Sequence, residues 1–164
     1  GKATAAIAEN NPDSQYIAID VFLAGVGSLL SEIESRSLTN LRIIRYDAVE
    51  IFHTMIPDNT LSGIHIFFPD PWPKKKHHKR RLIQPDFVDL LCAKLADNGY
   101  IYVVTDWEDY AIHIQEVFSA NSALRDIGAK TEKYPWRPLT RFENKAIKKS
   151  HVIREFLLEK HPLA

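Results

Sequence analysis

Four short runs rich in Ile, Val, Phe, Tyr and Leu recur along this chain, at residues 16–20, 41–46, 63–68 and 100–105. Runs of that length and apolarity mark central strands covered on both faces. Helical patterns fill the intervals. Helices are expected over residues 2–9, ended by Asn11-Pro12-Asp13, and over residues 24–35. Phe87, Leu90, Leu91 and Leu95 share a helical face that Pro85 opens and Asn98-Gly99 stops. Ala111, Ile114, Val117 and Phe118 share another, with Glu108 and Asp109 suited to the positive end of its dipole. The alternation predicts a doubly wound, mostly parallel α/β sheet within a single domain over residues 1–164. A last strand is expected over residues 151–158, after a long polar loop over residues 130–149 that contains Pro135 and Pro138. Gly1 leads straight into a helix, so the strand and glycine-rich turn that normally open such a sheet are expected to be missing from these residues.

Charge narrows the function. The formal net charge is zero, which argues against a general polyanion binder. Yet Lys74-Lys75-Lys76-His77-His78-Lys79-Arg80-Arg81 puts six fixed positive charges into eight residues. A charge run alone is usually a solvated face or a targeting signal, so its place in the fold decides its value. Cys92 is the only cysteine and lies in an apolar helical stripe, which excludes an internal disulfide and points to core packing. His77 and His78 lack ligand company at metal-binding spacing, and no metal is expected. With no signal sequence and no apolar run of membrane length, a cytoplasmic setting is expected.

Asp20, Asp47, Asp70 and Asp106 each stand at or just beyond the carboxyl end of an expected strand. Open α/β sheets bind ligands outside those ends. One such aspartate is usually a turn former or a helix cap; four along one edge suggest an acid-lined pocket. Asp20 follows Gly1 by roughly the 20 residues that separate a glycine-rich turn from a ribose-binding acid. A carboxylate there accepts from two vicinal hydroxyls, and Asp47 could accept from an adenine amino group. A nicotinamide dinucleotide would ask the same of Asp20.

The most distinctive stretch is Phe67-Phe68-Pro69-Asp70-Pro71-Trp72. Two prolines fix the backbone around Asp70 and remove amide donors. Asp70 can accept from the ring imino and amino groups of guanine, while Trp72 stacks a base. The plainer alternative is that Trp72 plugs the core and the prolines shape a turn. Because the basic run follows at once, carboxylate, aromatic and cations together make a sensible nucleic-acid site.

Residues 66–75 (IFFPDPWPKK), then Lys79-Arg80-Arg81 and Gln84-Pro85, resemble the signature of bacterial tRNA (guanine-N7)-methyltransferases. Asp47-Ala48, Thr105-Asp106-Trp107, Ala24-Gly25-Val26-Gly27-Ser28-Leu29 and Arg137-Pro138-Leu139-Thr140-Arg141-Phe142-Glu143 extend the resemblance over essentially the whole chain. The resemblance implies a class I, Rossmann-like fold, S-adenosylmethionine as cofactor, and formation of 7-methylguanosine at position 46 in the variable loop of tRNA. It implies that Gly1, Asp20, Asp47, Ala48 and Asp70 contact the cofactor, with Asp70 the catalytic carboxylate. Lys74, Asp106, Thr140, Arg141, Phe142 and Glu143 would hold the substrate nucleotide. Trp72, Lys75, Lys76, Lys79, Arg80, Arg81 and Arg137 would touch tRNA. The sequence departs from the family pattern in two ways: Asp20 stands where many relatives carry glutamate, and Gly1 looks like the last glycine of the cofactor loop.

Guanine N7 carries a lone pair at neutral pH, so no proton must leave before methyl transfer and no general base is required for that step. Alignment is the enzyme's main task. Two other readings stay open: methylation of another base or of an exocyclic amino group, and a non-catalytic RNA-binding relative.

Overall fold

The computed structural model of the chain describes residues 1–129 and 152–162. They form two compact units, one built on Gly1–Met55 and the other on the elements that follow.

The first unit runs α1 (Lys2–Asn10), β1 (Tyr16–Asp20), α2 (Leu23–Ser35), β2 (Leu41–Arg45) and α3 (Ala48–Thr54). β1 and β2 pair in parallel, from Tyr16 opposite Leu41 to Asp20 opposite Arg45. Parallel neighbours need a crossover, and α2 supplies it. Ala5 and Ala8 of α1, Leu29 of α2 and Leu41 of β2 are buried together, with Tyr16, Ala18, Ile33, Leu38 and Ile43 packed around them. Small residues on α1 let it lie close to the rest. Asn40 is buried just before β2, and its amide nitrogen lies 2.9–3.0 Å from the carbonyls of Ala8, Asn11 and Ser14. One side chain thus closes the connection from α1 to β1. Arg36 ties the same helices together outside, 2.8 Å from both Glu9 and Glu32.

The second unit holds β3 (Leu61–Phe67), a 3-10 helix (Lys75–Arg80), α4 (Pro85–Lys94), β4 (Leu95–Thr105), α5 (Glu108–Ser119), β5 (Leu124–Asp126) and β6 (Arg154–Lys160). The sheet order is β3-β4-β6-β5, with β3 parallel to β4 and β6 antiparallel to both its neighbours. α4 and α5 pack on β4 and on each other. Val88, Leu91, Ile101, Val103, Ile114 and Leu157 are fully buried in this core. The alternation of apolar positions along α4 and α5 is therefore what seats them.

Several expectations need adjustment. α4 ends at Lys94, four residues before Asn98-Gly99, because Leu95 already takes extended backbone (φ −69°, ψ 137°) and pairs with Leu61. Leu95 is fully buried from the strand rather than from the helix. Asn98 (φ 65°) and Gly99 instead form an irregularity in β4, where the register against β3 shifts between Leu61 and Gly63. α3, the 3-10 helix and β5 have no sequence forecast, being too short for a periodic signal. β6 falls three residues later than residues 151–158 at its start and two at its end. The sheet is less uniformly parallel than expected, since β6 enters in the opposite sense. The expected loop over residues 130–149 lies outside the described residues. Among the described residues, no helix is long and apolar enough to cross a membrane.

Candidate active site

In the first unit, Asp20 closes β1 and Asp47 lies two residues past the end of β2, so parallel pairing brings both to the same edge. Asp20 Oδ1 accepts from the amide of Phe22 at 2.9 Å, a local turn that fixes the carboxylate's direction. Asp47 caps α3, its Oδ1 accepting from the Glu50 amide at 3.0 Å. The plain roles of turn former and helix cap are thus real for both. Each occupies one oxygen and orients the other. Ala48 is the first residue of α3, and Gly1 precedes α1, exposed, with its carbonyl accepting from the Ala5 amide at 3.0 Å.

Gly25 neighbours the Asp20 carboxylate, a relation that sequence reasoning missed. It lies in the first turn of α2, where an added Cβ would collide with Asp20 Oδ2 and stand 3.3 Å from Cγ. Only glycine lets the Asp20 carboxylate lie against that turn. Gly25 is visible in the family-like segment after β1; what it makes room for is visible only in three dimensions.

In the second unit, Asp70 follows β3 and Asp106 follows β4, and the pairing of Phe67 with Val104 puts both at one edge of that sheet. Asp70 is exposed, and its Oδ1 accepts from the Trp72 amide at 3.1 Å. Phe68 (φ 48°) and Trp72 (φ 41°) both adopt the left-handed region. For bulky residues this costs about 1–3 kcal/mol each and persists only where surroundings enforce it, typically at functional sites. The Phe68 amide is held by the Val104 carbonyl at 2.8 Å. The prolines announce a rigid turn; the strain on either side of Asp70 has no sequence signal. Asp106 is partly buried beside Thr105, whose hydroxyl accepts from the Trp107 amide at 3.2 Å.

Trp72 is partly buried, with the Arg80 guanidinium carbon 5.1 Å from its ring centroid and the His77 ring edge-on at 5.8 Å. It is neither a core plug nor a bare platform: a cation already lies over it. The basic run forms the 3-10 helix, and Lys74, Lys75, Lys76, Lys79 and Arg80 are all exposed. Arg81 departs from the expectation of a tRNA contact and is corrected. It is only 3 % exposed, donates to Asp109 Oδ2 at 2.6 Å and to the Pro71 carbonyl at 2.8 Å, and stacks 4.9 Å from the Tyr110 ring centroid. A guanidinium so enclosed has no face left for a phosphate. Arg137, Thr140, Arg141, Phe142 and Glu143 lie outside the described residues. Among the described residues, no group of three or more His, Cys, Asp or Glu stands close enough to hold a metal ion.

The chemistry of these groups fits a nucleoside cofactor at Asp20 and Asp47: oriented carboxylates for hydroxyl and amino donors, with a glycine cradle around the first. Comparison with known proteins gives the family. Residues 1–156 match the model of a family described as "Putative methyltransferase". The chain is 50% identical over 158 residues to a tRNA (guanine-N(7)-)-methyltransferase of Nitrosomonas europaea, covering 96% of this chain and 70% of that protein. It is 50% identical over 161 residues to the protein of that name from Nitrosomonas eutropha, covering 98% and 72%. The crystal structure of tRNA (m1A58) methyltransferase from Aquifex aeolicus superposes with a TM-score of 0.58 at 10% identity, covering 91% of this chain and 54% of that one; this likeness speaks to fold alone.

Proposed function

The chain belongs to this methyltransferase family, and from that premise we propose that it transfers a methyl group from S-adenosylmethionine to N7 of a guanine in tRNA. The observation that carries the reading is half identity, over nearly the whole chain, to proteins named for that reaction. The fold is the Rossmann-like fold of class I methyltransferases, and both units are read as parts of one such domain. A cytoplasmic setting and position 46 of the variable loop are the finer parts of the proposal.

In this reading, Asp20 would hold the ribose hydroxyls and Asp47 the adenine amino group, with Gly1 and Ala48 alongside. When bound, the cofactor supplies a methyl group on a sulfonium sulfur, electrophilic enough to need no further activation. Asp70 orients the guanine by accepting from its imino and amino hydrogens, and offsets the positive charge that the ring gains on N7. It takes no proton from N7, because N7 has none. Lys74, Asp106 and the residues from Thr140 to Glu143 would complete the nucleotide site. N7 faces the deep groove of an RNA helix, which side chains read poorly, so the base must be unstacked at a cost of a few kcal/mol. Trp72, backed by Arg80, offers a surface to offset that. Lys75, Lys76 and Lys79, with Arg137, would meet the phosphates.

The test is incubation of the protein with methyl-labelled cofactor and bulk tRNA, followed by nucleoside analysis. Label in 7-methylguanosine, which carries a fixed positive charge, is the expected result. Label in a neutral, amino-methylated nucleoside would overturn the reading, and no label at all would leave only an RNA-binding relative. Asp70→Asn should lower turnover by about 100-fold, within the range for removing one electrostatic stabiliser, with cofactor affinity kept within about twofold.

A further inference from the structure

Residues 71–81 carry five exposed cations, Lys74, Lys75, Lys76, Lys79 and Arg80, and one buried side chain closes this stretch at both ends. Arg81 Nε donates to the Pro71 carbonyl at 2.8 Å, ten residues earlier, while the Arg81 amide donates to the His78 carbonyl at 3.1 Å and ends the 3-10 helix. The side chain is 1% exposed. Its guanidinium reaches Asp109 Oδ2 at 2.6 Å and lies over Tyr110, both on α5. Tyr110 is fully buried and fixed in turn, its hydroxyl accepting from the Ile83 amide at 3.0 Å. His113, also on α5, holds the Ile83 carbonyl at 2.7 Å. Pro71 is the residue between Asp70 and Trp72, and Trp72 is one of the two strained positions of the turn.

We propose that Arg81 is a positioning residue: it ties the Pro71 carbonyl to Asp109 and Tyr110 of α5, and so sets the Asp70–Trp72 turn and the cationic loop in one fixed arrangement. The inference deepens the methyl-transfer reading above and rests on it. The fork of a guanidinium is what the role needs, because its donors must serve a carbonyl and a carboxylate in different directions while its plane stacks on a ring. A lysine has the charge without the fork. The left-handed Trp72 needs an enforcing neighbour, and the Arg81–Pro71 bond is adjacent to it in the chain.

The experiment compares wild type, Arg81→Lys and Asp109→Asn in the whole chain, the latter keeping folding safe because Asp109 is a surface residue. Turnover on tRNA, cofactor Kd, the slope of log tRNA affinity against log salt, and acrylamide quenching of Trp72 (in a Trp107→Phe, Trp136→Phe background) are read together. Turnover is expected to fall at least tenfold for Arg81→Lys and several-fold for Asp109→Asn, with cofactor Kd within twofold, an unchanged salt slope and increased Trp72 quenching in both. Wild-type turnover in both variants, or unchanged quenching, would overturn the proposal. So would a salt slope shallower by about one unit in a third variant, Arg81→Gln, which removes the charge, since Arg81 would then be a phosphate contact. The quenching arm needs no activity. A wild-type protein that makes no 7-methylguanosine but shows the quenching change would sink the reaction and keep the strut.

Discussion

A carboxylate binds a hydroxyl pair well only when its direction is set in advance, and Asp20 is aimed by two neighbours: the Phe22 amide and the missing side chain of Gly25. Gly25→Ala should therefore displace the carboxylate without unfolding α2, since alanine is the better helix former. Hydrogen bonds to a charged group are worth about 1.5–3 kcal/mol, so cofactor affinity should drop by roughly 10- to 100-fold. Calorimetric titration with S-adenosylmethionine checks this, and an unchanged Kd would remove Asp20 from the cofactor site. At Asp109 the Arg81 hydrogen bond holds the carboxyl below its ordinary range, against a smaller opposing effect of desolvation, with Arg81, His78 and His113 charges adding to the lowering. A carboxyl depressed in the folded state contributes stability in full above its unfolded pKa, near 4, and loses it as pH falls through the lower folded value. The stability difference between wild type and Asp109→Asn should accordingly be constant at neutral pH and vanish in acid, as denaturant melts across pH would show.

Elements carry their own dependencies. The α1–β1 connection hangs on Asn40, whose amide faces three carbonyls that strand pairing does not serve. The Ala8 and Asn11 carbonyls also accept from the amides of Asn11 and Ser14, so removal of the Asn40 amide leaves the Ser14 carbonyl without its donor. At about 1–3 kcal/mol for such a group, Asn40→Ala should lower unfolding stability by that amount in urea titration. An unaltered midpoint would mean water replaces the amide without loss. In β3, burial drives the His65 ring down to a pKa of about 4, and its Nε2 lies 2.8 Å from the Tyr100 hydroxyl of β4. The folded protein keeps this ring neutral, while the unfolded chain takes up its proton near the ordinary 6.5. Stability should thus be complete above about 6.5 and decline as pH falls to about 4, and His65→Gln should flatten that decline. Gly63 makes this pairing possible, because a Cβ there would run into the Tyr100 ring. Periodicity revealed the long elements, α2 to within a residue and the apolar face of α5; it missed α3, the 3-10 helix and β5, which are too short to offer a repeat to read. It also placed the end of α4 too late, because a buried leucine satisfies a helix and a strand equally.

For the whole molecule, charge distribution sets behaviour. The chain has no net charge, yet Lys74, Lys75, Lys76, Lys79 and Arg80 are exposed together. If all five meet phosphates, log affinity for tRNA should fall against log salt with a slope of roughly −3.5 to −4.5. A flat response in filter binding across salt would take the basic loop out of the RNA interface. The motif of proline, aspartate and tryptophan followed by lysines is what suggested a nucleic-acid site, since those residue types carry the chemistry such a site needs. Arg81 was misread for the same reason: in a run of cations nothing local distinguishes the one that folds inward.

By itself, the sequence determined where the four central strands lie, that acids stand at their carboxyl ends, and that a carboxylate, an aromatic and a run of cations share one loop, because periodicity and side-chain type are local properties of the chain. Only the tertiary structure decided that Arg81 is a strut, that Gly25 shelters Asp20, that Asn40 closes a connection, and that Phe68 and Trp72 are held in strain. Each of those depends on a partner distant along the chain or on a backbone angle enforced by packing, and neither is written in a residue's own identity.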